Sequence, residues 1–99
     1  MLELTEVPLA WHDESPRRDG TTVCALRPTE VVRVEAGAGQ RLRFDQLLDV
    51  ELHLTPEGGI TVVAVGPQTR IPCHFGPTEG GDRFATQLLQ EQSRAAQSD

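Results

Sequence analysis

Short β-prone runs broken by turn signals at close intervals constrain this chain more than any other feature. RPTE (27–30), GAGQ (37–40), PEGG (56–59) and GPQ (66–68) all carry residues that reverse a chain through fixed or permissive backbone angles. The runs between them are too short for anything but small strands, and most alternate between apolar and polar side chains.

Val32 and Val34 share one face of VVRVEA (31–36), and Arg33 and Glu35 share the other. RLRF (41–44) returns with Leu42 and Phe44 inward and Arg41 and Arg43 outward. In FDQLLDVELHLT, Phe44, Leu47 and Leu48 fit one helical turn that Asp45 could cap. From Val50 the period becomes two, with Val50, Leu52 and Leu54 set against Glu51, His53 and Thr55. ITVVAV (60–65) is apolar on both parities, as expected of a central strand covered on both faces. RIPCHF (70–75) places Ile71, Cys73 and Phe75 on one face, and Pro72, which has no ladder donor, marks an edge strand or one beside a bulge. TVCAL (22–26) is a further short strand. At the N-terminus Leu2 and Leu4 alternate, and the phase then slips to Val7, Leu9 and Trp11. HDESPRRDG (12–20) reads as an exposed loop.

The pattern changes to helix at Asp82. Phe84, Ala85, Leu88 and Leu89 form an apolar stripe, and the polar residues 93–99 predict a fraying tail. The fold class expected is mainly β (α+β), with roughly six or seven antiparallel strands. They would form a small bent sandwich or barrel in one domain, residues 1–99, with one C-terminal amphipathic helix over its open end.

The net charge is −6 and all nine basic residues are arginine. That balance opposes nonspecific nucleic-acid binding and docking on anionic lipid. MLELTEVPLA has no signal-peptide pattern and no stretch is long and apolar enough to span a bilayer. The location expected is cytoplasmic, where two cysteines stay reduced.

From Thr22 onward, CALRPTEVVRVEAGAGQRLRFDQLLDVEL, with FDQLLDVEL as the nearest stretch, resembles the bacterial pleckstrin-homology-like domains. The Gly-Gly hairpin, the ITVVAV strand, the RIP-bearing strand and the closing helix continue the similarity over residues 22–96. The resemblance implies a bent, nearly closed barrel or sandwich capped by the last helix. In eukaryotic relatives of that family some members bind inositol-lipid head groups and others bind proteins or peptides. The corresponding loop here offers Arg17 and Arg18 beside Asp13, Glu14 and Asp19, which departs from a basic anion cradle.

Three site readings follow from the residues. Cys73 and His74 are sequential on a strand, so they point to opposite faces and cannot readily share a metal. Cys24 and Cys73 read as small core residues that could meet across the core as thiols, or as a disulfide in an oxidising compartment, which no signal sequence supports; a metal or thiol site on them with His53 and His74 is the least favoured alternative. Arg17, Arg18, Arg41 and Arg43 are the candidate ligand-binding residues, as an anionic-ligand or membrane-surface module would use them. No convergent polar constellation suggests an enzyme, and no cofactor or metal is expected. The preferred reading is a non-enzymatic binding or assembly module whose partner is a protein or a second copy. Its candidate contacts are the edges at the Pro72 strand and the N-terminal strand.

Overall fold

The protein's structure is a computed structural model that describes residues 10–13, 22–35 and 38–97. The chain is mainly β, with two antiparallel sheets and one C-terminal helix. Strands β1 (Ala10–Asp13), β2 (Thr22–Leu26), β3 (Glu30–Glu35) and β4 (Ala38–Arg43) form the first sheet in the order β1-β2-β3-β4. Strands β5 (Asp49–Leu54), β6 (Ile60–Val65) and β7 (Arg70–Phe75) form the second, in the order β5-β6-β7. The sheets do not join into a closed barrel.

RPTE, PEGG and GPQ each become a hairpin, whereas Ala38, Gly39 and Gln40 of GAGQ already belong to β4. RPTE joins β2 to β3 with Arg27 N–H donating to Glu30 O at 2.8 Å. PEGG joins β5 to β6, where Gly58 adopts φ +90°, a left-handed angle that favours glycine. The FDQ segment is a single 3-10 turn, Phe44–Gln46, leading into β5 as expected. Asp45 does not cap it. Its carboxylate takes Arg43 instead, with Nη2 to Oδ2 at 2.9 Å, because a turn this short leaves the two side chains on the same exposed corner.

The core lies between the sheets and is closed by α1 (Gly81–Gln97). Leu42, Phe44, Val62, Ala64, Ile71 and Phe75 are buried there, so the inward assignment of Leu42 and Phe44 and the central place of β6 are as the pattern implies. Phe84, Ala85 and Leu88 bring the helix stripe onto this core. Phe84 meets Phe75 with ring centroids 5.0 Å apart and planes tilted by 49°, a favourable aromatic geometry. Phe84 N–H donates to Gly80 O at 3.1 Å, which settles the helix start. The helix runs to Gln97, beyond the position from which the sequence predicts a fraying tail.

Two expectations need correction. The β3 face bearing Arg33 is the inner one: Val31 and Arg33 are buried while Val34 is exposed. The cysteines are not reduced core thiols. Cys24 on β2 and Cys73 on β7 are both buried and form a disulfide with Cα atoms 6.2 Å apart. The physical reason is that inward positions on the two sheets face each other, which brings the pair within the range a disulfide can span. Among the described residues no helix is long and apolar enough to cross a membrane.

Candidate functional site

A sheet offers other chains its outer strands, so the chemistry of each edge decides what the molecule can bind. β7 is an edge of the second sheet, as Pro72 predicts, but its backbone is occupied. Arg33 Nη1 donates to Pro72 O at 2.7 Å, and Gln40 Nε2 to Arg70 O at 3.4 Å. Arg33 and Gln40 are cross-strand partners on β3 and β4, so one side-chain pair from the first sheet covers two successive carbonyls of the second.

β5 is the opposite edge. Leu48, Leu52 and Leu54 are 64%, 55% and 82% exposed. They share a parity with Val50, and Leu52 stands in register with the buried Val62. The core-facing side of the sheet therefore continues past the cover that α1 supplies. An uncovered apolar edge is a contact surface or an aggregation hazard. β5 carries no proline, and the chain has no lysine with which to blunt it. The alternation of β5 is legible in the sequence, but a pattern reports which face is apolar and not whether a helix reaches it.

On the other face of β5, Glu51 accepts from Arg70, both through a close Nη2 contact with Oε1 and through Nη1 to Oε2 at 3.4 Å. It also bonds His53 Nε2 at 3.1 Å. The hydrogen bond from Arg70, then that of His53, holds the Glu51 carboxyl below the ordinary carboxylate range.

Of the arginines singled out from the sequence, Arg41 and Arg43 fall within the described residues. Arg17 and Arg18 lie outside the described residues, as does most of the 12–20 loop; residues 12 and 13 belong to β1. Arg41 and Arg43 do share the exposed face of β4, whereas Arg33 points inward. Arg41 grips Glu30 through Nε and Nη2 at 3.1 and 2.7 Å, which raises its pKa further. Arg43 holds Asp45. A shallow groove of about 260 Å³ above Phe44 is lined by Arg43, Arg94, Asp45 and Glu91. Arg94 pairs with Glu91 at 3.1 Å, so each cation here faces a carboxylate and the groove has little net charge.

The Cys-His constellation does not assemble. Cys73 is committed to the disulfide, while His74, on the other face of β7, bonds Thr61 Oγ1 through Nδ1 at 3.0 Å. Among the described residues no three His, Cys, Asp or Glu side chains converge as metal ligands would. Comparison with protein-family models, with curated proteins and with solved structures finds no match.

Proposed function

We propose that this protein is a non-enzymatic binding or assembly module of pleckstrin-homology-like type that joins a protein partner through β5. The observation that carries the reading is the row of exposed leucines on an edge strand whose outward backbone groups at Leu52 and Leu54 have no partner among the described residues. Strand addition there would supply main-chain hydrogen bonds for affinity, and Leu52 and Leu54 would supply apolar contact. The two-sheet core with a helix over it fits the fold that the family resemblance implies. The carboxylates bound to Arg41 and Arg43 favour this reading over anion capture, since a ligand would have to displace each one.

The test is the size of the tagged protein in a native extract of its source cell, with Leu54→Lys as the control. The wild type is expected in an assembly larger than the free chain, and the variant at the size of the free chain. Wild type and variant eluting together as free chains would overturn the reading.

A further inference from the structure

We propose that the occupant of the β5 edge is β5 of a second copy of this chain, paired antiparallel about a two-fold axis at Leu52. The inference rests on the β5 reading above and names its partner.

The backbone phase comes first. Thr55 N–H donates to Gly59 O at 2.9 Å, and β5 runs in register with β6 from Asp49↔Val65 to Leu54↔Ile60. Hydrogen-bonding direction alternates along an antiparallel strand. The odd residues of β5 therefore bond to β6, and Val50, Leu52 and Leu54 turn their N–H and C=O groups outward. Val50 N–H is engaged locally by Asp49 Oδ1 at 2.8 Å, which agrees with that direction. Leu52 and Leu54 keep free outward groups.

A closed dimer requires the edge to complement itself, and side-chain pairing together with the length of strand paired selects the register. An axis at Val50 sets Asp49 against Glu51, and an axis at Glu51 sets that carboxylate against its own copy. An axis at His53 opposes two imidazoles. The axis at Leu52 places Glu51 of each copy opposite His53 of the other, Leu52 opposite Leu52, and Val50 opposite Leu54. The Leu52 pair exchanges both of its backbone bonds. Each Leu54 N–H reaches the Val50 carbonyl of the other copy without disturbing Asp49. On the core-facing side, Val50, Leu52 and Leu54 of the two copies merge into one apolar strip, covering the leucines that the monomer leaves in water. Cross-strand carboxylate–imidazole hydrogen bonds and apolar pairs both favour such a ladder.

The experiment is sedimentation equilibrium of the purified full chain with its disulfide intact, over a concentration series. A dimer is expected, and Leu52→Lys, at a half-exposed position, is expected to weaken it by at least roughly tenfold with an unchanged circular dichroism spectrum. The register is read separately. Glu51→Cys and His53→Cys chains, mixed and oxidised, are expected to cross-link to each other, while neither cross-links alone; this result decides the matter if Leu52→Lys fails to fold. A wild type that stays monomeric, a dimer that Leu52→Lys leaves intact, or single variants that cross-link to themselves would each overturn the proposal. If the pure protein is monomeric but Leu54→Lys still abolishes a complex in extract, self-pairing fails and the wider binding reading stands. If that complex is also missing, both fail.

Discussion

The guanidinium of Arg33 crosses from the first sheet to the second and donates to the carbonyl of Pro72 at 2.7 Å. Arg33 is only 3% exposed, and its Nη1 also lies 3.4 Å from Cys24 Sγ. A charged side chain is thus placed inside a small core beside the disulfide, where burial costs free energy unless the group is bonded. The arrangement serves β7. Proline leaves that strand short of a donor, and its carbonyls on the open edge would otherwise face the inter-sheet space unpaired.

Replacing Arg33 with leucine is expected to destabilise the fold by about 1–3 kcal/mol, the order of cost of leaving the part-buried Pro72 carbonyl without its guanidinium partner. Urea unfolding at neutral pH measures it. Glu35→Gln is the control. Glu35 is half-exposed and meets Arg33 Nη2 at 3.4 Å, and a pair of that kind contributes about 0–1 kcal/mol. Equal losses in the two variants would mean that the salt bridge, and not the Pro72 carbonyl, is what Arg33 provides.

The disulfide closes a sequence separation of 49. In the chain-entropy model a loop of that length corresponds to about 4 kcal/mol of stability. Thiol alkylation of the native protein is expected to add no mass, and reduction is expected to lower the urea midpoint by the equivalent of that figure. Quantitative alkylation of freshly isolated protein without reductant would show that the two sulfurs are not bonded. It would also restore the reduced core thiols that the sequence suggests.

Gly59 sits at the end of the PEGG turn, and a Cβ there would run into the backbone oxygen of Phe75. Backbone cannot rotate aside as a side chain can, so Gly59→Ala is expected to cost about 1–3 kcal/mol through overpacking. Thermal unfolding gives the measurement. A variant as stable as the wild type would show that the β6–β7 pairing can relax there.

The strands, most turns and most of the helix stripe were legible because each is a local property. Period, β-branching and turn residues act within a few positions, as in ITVVAV and RIPCHF. What escaped the sequence depends on cover supplied from far along the chain. Arg33 and Val34 belong to one alternating run, and only the second sheet decides that the arginine goes inside. Leu52 and Leu54 look like core until the helix is seen to pass over β6 and leave them uncovered. The cysteines signalled burial and a meeting across the core, but that they bond follows from sheet-to-sheet facing, which spacing does not encode.

Glu51 ties the second sheet's outer face together, and its titration gives a prediction with a definite sign. Its carboxyl is held below the ordinary range in the folded protein, first by the hydrogen bond from Arg70 and then by that from His53. The folded state therefore favours the ionised form more than the unfolded chain does. The resulting stability is fully present above the ordinary carboxylate range and is lost as pH falls through the depressed folded value. Glu51→Gln cannot ionise, so its stability should fall less steeply over that acidic window, while at neutral pH it should be the less stable of the two. Urea midpoints of wild type and variant across the acid range provide the comparison. Parallel curves for the two proteins would show that the Arg70–Glu51–His53 cluster contributes nothing to the acid sensitivity of the fold.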